Sequence, residues 1–126
     1  MTTAKKDPIP VLIVEDELLI RMEAVQGIGE EGFLVYEAGN ADEAIQLLER
    51  HEEIRLIFTD VNMPGSMDGL KLAHYVRGRW PPVKIIVTSG LTKVQQEDLP
   101  PGALFVGKPY HPVHVAGRFR ELLTAA

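Results

Sequence analysis

Apolar positions along this chain alternate between two rhythms. Val11–Val14, Leu56–Thr59 and Leu104–Val106 are short continuous apolar runs bounded by turn residues. Such runs predict strands buried on both faces, as in a parallel sheet. Phe33–Ala38 and Lys84–Thr88 read as two further strands. Between them the apolar residues recur at helical spacing. A helix is predicted over Glu17–Glu31, with Leu18, Met22, Val25 and Ile28 on its inner face and Gly32 as its stop. Asn40 predicts a cap for a second helix reaching about His51, with Ala41, Ala44, Ile45 and Leu48 inside. Asp68 predicts a cap for a third through Arg79, burying Leu72, Ala73 and Val76 before Pro81-Pro82. Pro112 starts the last, with Val115, Phe119, Leu122 and Leu123 facing inward.

Strands alternating with helices predict an α/β fold, a doubly wound parallel sheet with helices on both faces. One connection departs from the rhythm. Between Ser89 and Leu104 lie Gly90, Pro100, Pro101 and Gly102 and few apolar residues, so the fourth helix should be short or marginal. The 126 residues suit one domain with one core.

Composition narrows the function classes. A net charge of -5 argues against general nucleic-acid binding, which favours a basic face. The absence of cysteine excludes disulfides, thiolate chemistry and zinc–thiolate sites. No apolar stretch approaches the ~18 residues of a membrane span, and no signal-peptide pattern opens the chain. These features predict a cytoplasmic protein.

The candidate chemistry sits at the carboxyl ends of the strands, where open parallel sheets bind ligands. Glu15 and Asp16 follow the first strand, Asp60 ends the third and Lys108 follows the fifth. Acids at these positions also serve as helix caps, and a single lysine is commonly a surface residue. Together they predict convergence of three carboxylates and one ammonium, a site for a hard divalent cation and a phosphoryl group. A carboxylate beside such a cation can attack phosphorus and form an acyl phosphate. Thr88-Ser89-Gly90 ends the fourth strand, where a hydroxyl could bond a phosphoryl oxygen. Strand alternation lets only one of the pair point there, and the following Gly90 favours Ser89. His51, His74, His111 and His114 do not stand at metal-ligand spacing near the acids.

Glu15-Asp16, the stretch Asp60–Gly69, Thr88-Ser89 and Lys108-Pro109 together resemble the receiver domain of two-component response regulators, from about Val11 to Leu123. The resemblance implies a flavodoxin-like five-stranded sheet of order 2-1-3-4-5. It implies that Asp60 is the phosphoacceptor, taking a phosphoryl group from a histidine kinase or a histidine phosphotransfer protein. Mg²⁺ would be held by Asp16, Asp60 and the Asn62 backbone carbonyl, with Glu15 acting largely through water. Ser89, or else Thr88, would be the switch hydroxyl, Lys108 the switch lysine and Phe105 the switch aromatic. The protein would catalyse its own phosphorylation and dephosphorylation, turn over no external substrate, and present a switched surface to a downstream protein.

The same reading expects a flexible tail at 1–8, a receiver domain at 9–124 and no output domain, as a monomer or weak dimer binding neither nucleic acid nor membrane. Two departures from the usual pattern are visible. The Asp60 loop carries one extra residue at Gly65-Ser66, and the segment between Ser89 and Lys108 is short. A phosphate shuttle or sink and an aspartyl-nucleophile phosphatase are the competing readings. The phosphatase would want a general acid two residues after the nucleophile, where Asn62 stands. A nucleotide-binding fold of this topology would want a glycine-rich phosphate loop, which is missing.

Overall fold

The structure, a computed structural model, describes residues 7–90 and 93–124. The strands are β1 (Pro10–Val14), β2 (Leu34–Ala38), β3 (Leu56–Asp60), β4 (Lys84–Ser89) and β5 (Leu104–Gly107). All neighbouring pairs run parallel, in the order β2-β1-β3-β4-β5. The α-helices are α1 (Leu18–Glu30), α2 (Ala41–Arg50), α3 (Gly69–Arg79) and α4 (Pro112–Thr124). The predicted strands and their order are those observed.

Strand alternation divides the core in two. Leu12, Val14, Ile57, Ile85 and Val87 face α2 and α3, meeting Ala44, Leu48, Leu72 and Val76. Val11, Ile13, Leu56, Phe58 and Ile86 face α1 and α4, meeting Ala24, Ile28, Val115 and Phe119. Period-2 side chains on a sheet covered on both sides make both sets apolar, which is why the sequence shows continuous runs. On the second face an aromatic column ties α4 to the sheet. Phe119 stands edge-on to Phe33 at 5.4 Å and to Phe58 at 5.7 Å, and Phe58 in turn to Tyr110 at 5.2 Å.

The caps behave as expected. Asn40 Oδ1 accepts from Glu43 N at 2.9 Å, and Asp68 Oδ1 from Lys71 N at 2.9 Å. Glu43 reaches back one residue further than a usual capping box, accepting from Gly39 N at 2.7 Å. The inner face of α1 requires a correction. Leu18 and Met22 are 57% and 54% exposed, and Ala24 and Ile28 are the buried pair. Small residues decide the rotation. A Cβ on Gly27 would overlap the Pro112 ring, so α1 turns its glycine and alanine toward α4. A hydrophobic count misses such a face because it scores size rather than closeness.

Between β4 and β5 the described residues hold no α-helix. They form one 3₁₀ turn, Gln96–Asp98, closed by Gln95 N donating to Asp98 Oδ2 at 2.8 Å and pinned by His74 Nε2 donating to the Asp98 carbonyl at 2.8 Å. Leu99 and Ala103 are buried and Val94 is half-buried, so little apolar surface is available to hold a longer helix. Leu91, part of the expected segment, lies outside the described residues, as do residues 1–6 of the tail expected at 1–8. The Lys108–Pro109 peptide bond is cis. No described helix is long and apolar enough to cross a membrane.

Two glycines give a test of packing. A Cβ on Gly69 would overlap the Asp60 carbonyl, whereas one on Gly117, within α4, would meet nothing within 4 Å. Gly69→Ala should therefore cost about 2–3 kcal/mol through backbone displacement. Gly117→Ala should stabilise by about 0.5–1 kcal/mol through helix propensity. Urea unfolding of the two variants should move the midpoint in opposite directions.

Candidate functional site

The ladder register brings the charged residues to one edge. Asp60 is paired with Thr88, and Thr88 with Val106. Glu15 lies one residue beyond the β1 ladder, its N–H donating to the Ala38 carbonyl at 3.0 Å. Glu15 and Asp60 are buried, at 3% and 4% exposure, while Asp16 is exposed. Each of these three carboxylates places an oxygen within 4.8 Å of the other two. Lys108 Nζ donates to Glu15 Oε1 at 2.9 Å and lies 3.3 Å from Asp60 Oδ1. The second distance suits an ion pair but not a directed hydrogen bond, and Asp60 Oδ1 has no hydrogen-bond donor among the described residues. A cavity of about 710 Å³ opens over the site, lined by Asp16, Asp60, Asn62, Lys108 and the half-buried Tyr110 among others.

Burial and charge act against each other here. Burial pushes the Asp60 carboxyl above its ordinary value, with the nearby Lys108 charge opposing and Asp16 adding to the rise. Glu15 is raised in the same way, against hydrogen bonds from Lys108 and the Glu17 N–H. Burial acts to lower Lys108, but its contacts with Glu15 and Asp60 outweigh that and raise it. The pocket is thus short of positive charge. Three hard oxygen donors, two of them buried, fit Mg²⁺, which takes oxygen ligands and retains waters.

Comparison with known proteins locates this geometry. Residues 11–115 match the response regulator receiver domain family. The chain belongs to that family. It is 34% identical over 117 residues to the sensor kinase CckA of Brucella abortus, covering 90% of this chain and 12% of that protein. It is 40% identical over 93 residues to the transcriptional regulatory protein PdtaR of Mycobacterium tuberculosis, covering 73% of this chain and 42% of that protein. The chain thus spans less than half the length of either relative. Among solved structures, the receiver domain of the hybrid histidine kinase CckA superposes with a TM-score of 0.78 at 30% identity, over 91% of this chain and 99% of that one. A receiver protein from Sinorhizobium medicae reaches a TM-score of 0.86 over 94% and 97% of the two chains. At 22% identity it speaks to the fold alone.

In this receiver the expected residues divide by face. Glu15, Asp60, Thr88 and Lys108 share strand parity with the α1/α4 side of the sheet. Ser89 falls on the other side, where its Oγ accepts from Asn62 Nδ2 at 3.2 Å. Thr88 Oγ1 is buried and has no hydrogen-bond partner among the described residues. Phe105 is half-buried against the α2/α3 core. Two residues escaped the sequence reading. Tyr110 was hidden because nothing local distinguishes an aromatic after a Lys-Pro pair. Arg21 donates from Nη1 to the Glu15 carbonyl at 2.9 Å, a contact between helix and strand end that periodicity does not report.

The raised carboxyl gives a pH-dependent prediction. A buried acid whose folded value lies above its unfolded 3.8 contributes stability that is complete below that value and lost as pH rises through the folded value. The amide of an Asp60→Asn variant would mimic the neutral form at every pH. In EDTA, Asp60→Asn should melt no higher than wild type near pH 3.8 and increasingly higher as pH rises from there through the raised folded value. A constant offset across that range would contradict the desolvation argument.

Proposed function

We propose that this receiver accepts a phosphoryl group on Asp60 from a histidine kinase or a histidine phosphotransfer protein in a two-component phosphorelay, and then switches a protein-binding surface. The observation that carries the reading is the meeting of Glu15, Asp16, Asp60 and Lys108 at one pocket mouth. In the transfer a carboxylate oxygen of Asp60 attacks phosphorus. The new P–O bond forms as the donor's P–N bond breaks, and the electron pair leaves with the imidazole. Asp16 and Asp60, with Glu15 largely through water and the Asn62 backbone carbonyl, would hold Mg²⁺. Bound there, the ion would supply a hard Lewis-acid centre against the charge gathering on the phosphoryl oxygens. Lys108 would trade its contact with Asp60 for one with the phosphoryl group while keeping Glu15.

Thr88 is the better reader of that group than Ser89. Its hydroxyl is unengaged among the described residues and on the Asp60 side, whereas the Ser89 hydroxyl already serves Asn62. Phe105 would follow the movement of Thr88 as the switch aromatic. We place the chemistry in the cytoplasm, in a unit spanning residues 9–124, as a monomer or weak dimer. External substrates would not be turned over, since Asn62 offers no general acid. A shuttle or sink without regulated output is the second reading. It is favoured by the sparse β4–β5 connection, which leaves one fewer helix to move.

Incubation with a small phosphodonor and Mg²⁺ should add about 80 Da, one phosphoryl group. EDTA or Asp60→Asn should abolish the increment, and equal labelling of Asp60→Asn would remove Asp60 from the role. The readout is tested separately. Thr88→Ala should still be phosphorylated but lose most of the amide shift changes that phosphorylation produces in wild type, and Ser89→Ala should keep most of them. Shifts confined to the pocket in wild type itself would favour the shuttle.

A further inference from the structure

The β1 ladder closes at Val14, paired with Ala38 on one side and Thr59 on the other. The next peptide, joining Glu15 to Asp16, carries two of the pocket's three acids. This peptide follows the last sheet contact of the strand end, the Glu15 N–H donating to the Ala38 carbonyl at 3.0 Å. Its carbonyl has no strand to pair with, yet Glu15 is only 3% exposed. A buried carbonyl in that position needs a donor. Arg21 Nη1 supplies it at 2.9 Å, from the first turns of α1. The same guanidinium is anchored through Nε to Glu37 Oε1 on the edge strand at 3.1 Å. Gly39 leaves the space it needs, since a Cβ there would lie 2.9 Å from Nη1. One planar fork therefore bridges α1, β2 and the peptide between the two acids.

We infer that Arg21 is a positioning residue for the cation-binding carboxylates, acting through the Glu15 carbonyl rather than by touching cation or phosphoryl group. This rests on the receiver reading above. The inference has a sign that simple electrostatics does not share. A guanidinium near a cation site repels the cation, so its removal should tighten Mg²⁺ binding if Arg21 acts only as a charge. If Arg21 holds the peptide, removal should loosen the acids and weaken binding. Lysine keeps the charge but loses the fork that serves two acceptors at once.

Calorimetric titration of the chain with Mg²⁺ separates these cases. Arg21→Met should weaken affinity by about tenfold, the scale seen when groups supporting metal ligands are removed. Arg21→Lys and Glu37→Gln should each give a smaller loss in the same direction. The Mg²⁺ concentration for half-maximal phosphorylation should shift by the same factor, with the rate at saturating Mg²⁺ unchanged. Affinity equal to or tighter than wild type in Arg21→Met would overturn the inference. So would a lowered saturated rate and melting temperature with affinity unmoved, the mark of a merely structural role. Should Arg21→Met fail to fold, Arg21→Lys carries the comparison, since it keeps the charge and a loss of affinity there reports the lost fork alone. A wild type that binds no Mg²⁺ would instead sink the proposed metal-dependent phosphoacceptor function.

Discussion

Positive charge is scarce at the carboxyl edge of the sheet, and the surrounding structure is arranged around that shortage. Lys108 Nζ is shared between Glu15 at 2.9 Å and Asp60 at 3.3 Å, while Asp16 stands at the same opening with its charge uncovered. Removing the shared cation would strand two buried carboxylates at once, the costly way to break such a pair. The chain accordingly constrains the lysine closely. Gly90 lets the end of β4 approach so near that a Cβ there would lie 3.1 Å from Lys108 Cβ, and the strand pair Ser89–Gly107 fixes the approach. The site gives up some stability to keep this imbalance. The balance is restored when a cation and then an anion arrive.

Strand ends are where the sequence was most informative, and the reason is physical. Fully buried strands must be apolar on both faces, so a charge such as Asp60 or Lys108 marks the place where the sheet stops. Asn40 and Asp68 were equally clear because a cap is a local contact, made three residues along the chain. What stayed obscure depends on distance and on small residues. The inner face of α1 is set by Gly27 lying against Pro112, far along the chain, and by Ala24 rather than by the larger Leu18 and Met22. That Thr88 shares the Asp60 side of the sheet and Ser89 does not follows from the register with β3, which a single strand does not reveal. Arg21 needed the Glu15 carbonyl to be seen as lacking a strand partner before its role could be named.

The aromatic column links the site to the far side of the domain. Tyr110 lines the pocket and leans on Phe58, which leans on Phe119 in α4. Such edge-on pairs are worth about 0.5–1.5 kcal/mol each beyond area burial. They also prefer defined ring angles, so a change in Lys108 two residues from Tyr110 has a packed route toward α4.

The connection from Ser89 to Leu104 has a consequence for how this chain can vary. Parallel neighbours need a crossover of roughly a dozen residues or more to return to the same end of the sheet. Of the segment 90–103, the described residues form one 3₁₀ turn with few apolar anchors. The segment is close to the shortest path that geometry permits, so deletions in it should be excluded while insertions remain cheap, each doubling of length costing only about 0.6 kcal/mol in closure entropy. Length variation among relatives of this chain should therefore run in one direction at this point. It is a place where new surface can be added without disturbing the strand ends that hold the chemistry.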